Sequence, residues 1–209
     1  MNKKNIFEEY SNKNAVGQYN LAVSYRDGID IEQNDLQAFH WFYRAAEKGL
    51  DQAQYNLGAM YSDGIGIQQD YKKAFHWFYK AAIQKFAQAQ YQLGLMYKEG
   101  LGIQQSNRKA FYWFYKAAQE NLPEAQNSIA MMYVSGLGVQ KNHQKAFYWF
   151  YLAAKQDFDQ AEYNLGLMYK NGLGTEQSYL TAYSWFYKAA EKGLEHAIEE
   201  LRFIYKNTK

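Results

Sequence analysis

Five tryptophans, Trp41, Trp77, Trp113, Trp149 and Trp185, lie at a constant interval of 36 residues. Each sits in a version of one phrase: AFHWFYRAA, AFHWFYKAA, AFYWFYKAA, AFYWFYLAA and AYSWFYKAA. A second phrase keeps the same step, running QYNLAVSY, QYNLGAMY, QYQLGLMY, QNSIAMMY and EYNLGLMY. Self-similarity at a fixed period of roughly 20–50 residues marks a repeat array. In such an array each unit hides its apolar face only against its neighbours.

Each unit reads as two helices. Around Gln52–Asp63, Ala53, Leu57, Met60 and Tyr61 share one face of a 3.6-residue period. The helix stops at a homologous glycine (Gly28, Gly64, Gly100, Gly136, Gly172), the residue that most easily takes the left-handed conformation ending helices. A second glycine two positions on (Gly66, Gly102, Gly138, Gly174) keeps the turn tight, although the first unit has Asp30 there. The second helix starts after Asn34, Asp70, Ser106, Asn142 or Ser178, all good N-caps. It ends near Lys48, Gln84, Glu120, Gln156 and Lys192, each followed by a turn residue and then an apolar one.

Along the second helix, Ala74, Trp77, Phe78 and Ala81 recur in every unit, while Lys73, His76, Lys80 and Gln84 drift. A drifting stripe at helical spacing reads as a solvated, convex face. The segment LEHAIEELRFIYKNTK repeats the first helix alone. Its Ala197, Leu201, Ile204 and Tyr205 fall at buried positions, with Glu199, Glu200 and Arg202 outward, as a terminal cap requires. A short helix over residues 4–11 is also expected. The predicted architecture is one all-α domain, 1–209. It comprises repeats 15–50, 51–86, 87–122, 123–158 and 159–194 and a cap at 195–206.

The unit resembles the Sel-one-like repeat (SLR) family, a branch of the tetratricopeptide superfamily. Leu57, Gly58, Tyr61, Gly64, Gly66, Lys73, Ala74, Trp77, Lys80, Ala81 and Ala82, with their equivalents, carry the likeness over roughly residues 15–206. The resemblance implies a right-handed α-α superhelix, or solenoid, whose concave face is lined by the first helices. It implies an adaptor or scaffold role, and bacterial members are associated with signalling, envelope processes, host interaction and immunity to secreted toxins. A cysteine-rich subgroup is linked to β-lactams; this chain has no Cys, so that activity does not carry over. Phe75, Tyr79 and their equivalents exceed what the family pattern asks for.

On that face, Tyr19, Tyr55, Tyr91 and Tyr163 form one stripe, and Asn20, Asn56, Gln92 and Asn164 another, with Arg26, Lys98 and Lys170 further along. Related grooves hold peptide backbones or terminal carboxylates with Asn and Lys from first helices, and Tyr adds contact area at low entropic cost. The bland alternative is that these side chains only bridge adjacent helices. Asn127 and Ser128 interrupt the stripes in the fourth unit.

Composition narrows the partner. With 23 basic and 21 acidic residues the net charge is +2, which gives no footprint for nucleic acid. The absence of Cys rules out disulfides and thiolate metal sites. Apolar runs fall short of the about 20 residues of a membrane span. The sequence starts without the apolar core of a secretory signal, so as written it reads as cytoplasmic, with a periplasmic or secreted location as the alternative where a signal has been removed. His40 and His76 are homologous, a repeat apart, and read as solvent-exposed rather than as ligands of one metal ion. Asp63 and Glu99 are equivalent positions and not a catalytic pair, and no GxSxG, HExxH or GxxxxGK[ST] occurs. The Lys73, Lys109 and Lys145 stripe reads as a solvated face. The expectation is a monomeric, cofactor-free, non-enzymatic scaffold for a protein or peptide. An immunity protein against a toxin is the alternative, and a β-lactam-directed hydrolase a distant third.

Overall fold

A computed structural model describes residues 14–207. Among these residues there are eleven α-helices and no strands. They are α1 (Ala15–Asp27), α2 (Asp35–Glu47), α3 (Asp51–Asp63), α4 (Tyr71–Ile83), α5 (Ala87–Glu99), α6 (Asn107–Gln119), α7 (Pro123–Ser135), α8 (His143–Ala154), α9 (Asp159–Asn171), α10 (Tyr179–Glu191) and α11 (Glu195–Asn207). Within each of two compact units consecutive helices pack on one another, the elements of an all-α solenoid. The packing resolves into two compact units, one ending at Ser106 and the other beginning at Asn107. The expected helix over 4–11 and the side chain of Tyr205 lie outside the described residues.

The helix ends follow the sequence signals. Asn34 accepts the Gln37 backbone N–H, Asp70 those of Lys72 and Lys73, Asn142 that of Lys145, and Ser178 that of Thr181. Asn14 caps α1 in the same way, through Gly17. After the first helices, Gly64 is left-handed (φ 73°) and its N–H closes on the Met60 carbonyl at 2.9 Å. Three second helices end on left-handed residues other than glycine, Lys85, Asn121 and Asp157, and the apolar residue that follows locks each turn. Phe86 N–H, for example, donates to Ala81 O.

Within a pair, Phe78 lies on Gly58: a Cβ there would come within 2.7 Å of the ring, and Gly166 stands in the same relation to Phe186. The larger Phe residues of this column thus fill space inside a repeat. Between repeats the contact is edge-to-face. Phe39 meets Tyr61 and Phe75 meets Tyr97 in the first unit, and Phe111 meets Tyr133 and Phe147 meets Tyr169 in the second, with centroids 5.3–5.5 Å apart. Such a pair contributes about 0.5–1.5 kcal/mol beyond its buried area. The surplus aromatics flanking Trp are therefore the glue between neighbours. Trp77 adds a contact to Tyr43 of the preceding repeat, and Trp149 one to Tyr115. Trp41 and Trp77 are buried; Trp113, Trp149 and Trp185 are half-buried.

The second turn glycine does more than tighten a turn. Gly66 is left-handed, and a Cβ would lie 2.7 Å from the backbone of Asp35, at the start of the preceding second helix. Gly102 approaches Tyr71 in the same manner. In the first repeat Asp30 takes the same left-handed conformation (φ 62°), with no preceding second helix among the described residues to crowd it.

A buried amide column completes the joints. Gln54 Nε2 donates to Ala46 O, Gln90 to Ala82 O and Gln126 to Ala118 O, each reaching back to the preceding helix. From the far end of the repeat, Gln84 Nε2 donates to Gln54 Oε1 and to the Gly49 carbonyl. In α11, Ala197 and Ile204 are buried and Leu201 half-buried, while Arg202 stands exposed where inner repeats place the small residue that receives a Phe ring.

Candidate protein-binding face

The residues singled out on the first helices are neither loose nor uniform. Tyr19 makes an edge contact with Phe42 at 5.6 Å. Tyr55 lies against Phe78 and Phe86, and Tyr163 against Phe186 and His196. Tyr91 is likewise half-buried. Tyr19, Tyr55 and Tyr163 therefore spend part of each ring on packing and stay half-buried. Burial raises the Tyr163 phenol above its ordinary value, and the carboxylates of Glu200 and Glu199 raise it further.

The amide and basic residues connect neighbouring repeats. Arg26 Nη1 donates to Asn56 Oδ1 at 3.1 Å, and the guanidinium is also clamped by both carboxylate oxygens of Asp27. That contact holds Asp27 below the usual carboxylate range and raises Arg26. Asn56 Nδ2 in turn donates to the Gln52 carbonyl. In the second unit Asn164, nearly buried, donates to Asn127 Oδ1 at 3.0 Å, so the residue that interrupts the tyrosine stripe carries the amide link instead. Lys170 reaches forward to Glu200 at 2.7 Å and lies 4.9 Å over the Phe203 ring. Asn20 and Lys98 are exposed, Lys98 beside Glu99 at 3.0 Å; Gln92 is half-buried. The structure thus brings Arg26 together with Asn56, leaves Asn20 exposed and pairs the exposed Lys98 with its neighbour Glu99.

Reading the stripes alone misses a shallow cleft of ≈ 230 Å³ between α9 and α11, where Tyr163 and Lys170 meet His196, Glu199, Glu200 and Phe203. Its signal was a fixed offset of 30 residues. Arg26 faces Asn56 and Lys170 faces Glu200 at the same two repeat positions. His40 and His76 are exposed, each edge-on to its own Trp. Among the described residues no cluster of three or more His, Asp or Glu is placed to hold a metal ion, and no helix is long and apolar enough to cross a membrane.

The Sel1 repeat pattern matches residues 15–50, 51–86, 87–122, 123–158 and 159–194. The chain belongs to the Sel1 repeat family. Among solved structures, this Sel1 repeat chain is similar to a protective antigen of uropathogenic Escherichia coli with an SLR fold. The two are 33% identical with a TM-score of 0.90, over 93% of this chain and 42% of the antigen, so the chain spans less than half of that relative. It is also similar to a Sel1 repeat protein of Oxalobacter formigenes, with 31% identity and a TM-score of 0.86, over 94% of this chain and 78% of the other. An immunity protein of Pseudomonas aeruginosa shares the fold at 22% identity and a TM-score of 0.55, over 88% of this chain and 67% of its own. No curated protein sequence matches significantly. Sel1 repeat proteins are generally non-catalytic scaffolds, and the fold is of a protein-interaction type.

Proposed function

We propose that this Sel1 repeat chain is a non-catalytic scaffold that holds a polypeptide segment of a partner protein against its first helices. The observation that carries the reading is that polar side chains there are fixed before any partner arrives. Arg26 is pinned by Asp27 and Asn56, Asn164 by Asn127, and half-buried tyrosines flank them. Donors and rings already ordered by the fold lose little entropy on binding, and such preorganisation is where much of the affinity of an interface originates. A guanidinium so placed suits a backbone carbonyl or a terminal carboxylate, and the tyrosine faces suit apolar side chains.

The test is capture from the native cell, followed by quantitative binding of the identified partner to purified variants. Replacing Tyr55, Asn56 and Tyr91 by Ala weakens that partner at least about tenfold, a loss of about 1.4 kcal/mol. Because Tyr55 also packs on Phe78 and Phe86, a milder variant, Asn20→Ala with Asn56→Ala, is run beside it with helicity checked by circular dichroism. Undiminished binding by both variants, with helicity retained, overturns the reading.

A further inference from the structure

The second helices carry a feature that peptide capture on the first helices leaves unused. Helices α6 and α8, NRKAFYWFYKAAQ and HQKAFYWFYLAA, contain Arg108, Lys109, Lys116 and Lys145 and no Asp or Glu. Lys155 caps the end of α8. Helices α2 and α10 carry carboxylates of their own, and α4, with Lys72, Lys73 and Lys80 and no Asp or Glu, has acidic neighbours at both ends. Lys80 of α4 faces Glu47 of α2 at 4.0 Å, Lys73 faces Asp70 at 3.5 Å, and α10 carries Glu191 beside Tyr187. Nearest to the α6/α8 face in sequence are Glu120, just past α6, and Asp157, past α8 and 3.8 Å from Lys192.

The same two helices expose aromatic surface. Tyr112 is 53% exposed and Tyr148 56%; Tyr115 and Tyr151 are exposed too. These rings are held in place. Tyr115 stacks on Phe111 and Tyr151 on Phe147, at interplanar angles of 22° and 10°. Tyr112 and Tyr148 stand edge-on to Trp113 and Trp149. Tyr115 also touches Trp149 at 5.9 Å, so α6 and α8 present one continuous face. The fold does not ask for aromatics at the two most exposed positions, since the equivalents of Tyr112 and Tyr148 are His40, His76 and Ser184. A rigid, exposed aromatic floor edged with cations marks an interaction site rather than a solvated surface.

We infer that the outward face of α6 and α8 is a second docking surface, fitted to an acidic polypeptide segment. Carboxylates of that segment meet Lys109, Lys116 and Lys145, and its apolar side chains lie on Tyr148 and beside Tyr112. Charge complementarity selects the occupant: four cations on two helices without a carboxylate attract acidic chains and repel basic ones. Single-stranded nucleic acid is the poorer fit. It needs open ring faces for base stacking, whereas ammonium groups of Lys116 and Lys155 lie 5.8 and 5.7 Å over the Tyr112 and Tyr151 rings.

The experiment is fluorescence anisotropy of the whole chain with a labelled Glu-Glu-Leu repeat peptide, the same peptide with Gln for Glu, and labelled oligothymidylate. The acidic peptide binds, weakens as salt rises, and outbinds the Gln peptide at least about tenfold. Two double variants use residues that other repeats carry at the same positions, so the fold tolerates them. These are Tyr112→His with Tyr148→His, matching His40 and His76, and Lys109→Thr with Lys116→Leu, matching Thr181 and Leu152. Each lowers acidic-peptide affinity at least about tenfold, while Asn20→Ala with Asn56→Ala leaves it unchanged. That last arm separates this surface from the first-helix face. Absence of acidic-peptide binding, equal binding of the Gln peptide, tighter binding of oligothymidylate, unchanged affinity in the two α6/α8 variants, or loss in the Asn variant each overturns the inference.

Discussion

Lys192 Nζ lies 2.8 Å from Oε1 of Glu162, a carboxylate with only 1% of its side chain exposed. The same two repeat positions hold Gln84 and Gln54, and Gln156 and Gln126, joined at 2.8 and 2.9 Å. The fifth repeat has therefore exchanged a neutral amide pair for an ion pair in one buried place. Lys192 also donates to the Asp157 carbonyl, as Gln84 does to that of Gly49, so either version ties a repeat to the turn before it.

Lys192→Gln leaves the Glu162 charge buried without its cation. Removing one partner of a fully buried pair costs about 3–5 kcal/mol, but Lys192 is a third exposed, so about 1–3 kcal/mol is expected. Adding Glu162→Gln rebuilds the amide pair of the other repeats and recovers most of that loss. Urea unfolding of the two variants reads both effects; a double variant no more stable than Lys192→Gln contradicts the exchange.

Asp70 caps α4, and its carboxylate accepts the backbone N–H groups of Lys73 and Lys72. The Lys73 N–H is the main cause that holds it below its ordinary value, and the Lys73 ammonium adds to this. The folded group thus binds protons more weakly than the unfolded one. Its stabilisation is complete above the unfolded value of about 3.9 and is lost as pH falls through the folded value. Asp70→Asn keeps a capping oxygen at neutral pH but cannot protonate. Denaturation midpoints below pH ~4 should fall less steeply for the variant than for the parent chain.

The helix pairs, their caps and their left-handed stops were legible in the sequence because each depends on residues close in the chain. Asp70, Gly64 and Phe86 act within a turn of where they stand. The joints between repeats were harder to read, since they couple positions about 20 to 35 residues apart. Phe75 reads as surplus in the sequence because the ring it meets edge-on, Tyr97, belongs to the next repeat. The glutamine of the QYNL phrase shows no local signal of burial, yet Gln54 is buried and bonded to Ala46. Its signal was present in the exchange of Gln54 and Gln84 for Glu162 and Lys192. The first-helix stripes follow from the 36-residue spacing, but sequence alone gave no measure of how much of Tyr55 or Asn164 is consumed by packing.

Edge-to-face pairing predicts a measurable coupling between repeats. Phe75→Leu and Tyr97→Leu each remove one ring from a contact with centroids 5.5 Å apart and planes at 89°. A double-mutant cycle should return a coupling of about 1 kcal/mol between them. The cycle of Phe75 with Tyr55, which packs on Phe78 and Phe86 instead, should lie within about 0.5 kcal/mol of additivity.

The two glycine columns separate backbone strain from packing. Gly58→Ala pushes a Cβ to 2.7 Å from the Phe78 ring, yet Ala22 and Ala130 occupy the same repeat position, so small shifts of the ring absorb it. A cost within about 1 kcal/mol is expected. Gly66→Ala meets the main chain of Asp35 at 2.7 Å in a left-handed conformation (φ 71°), and neither partner can turn aside. It should cost about 2–3 kcal/mol. Asp30, at the equivalent position, already holds φ 62° with a side chain, so Asp30→Ala isolates the conformational part and should cost about 1 kcal/mol or less. Thermal or urea unfolding of the three variants gives the order Gly66→Ala well above the other two. Equal losses at Gly66 and Gly58 would mean that the turn does not depend on its close approach to the preceding helix.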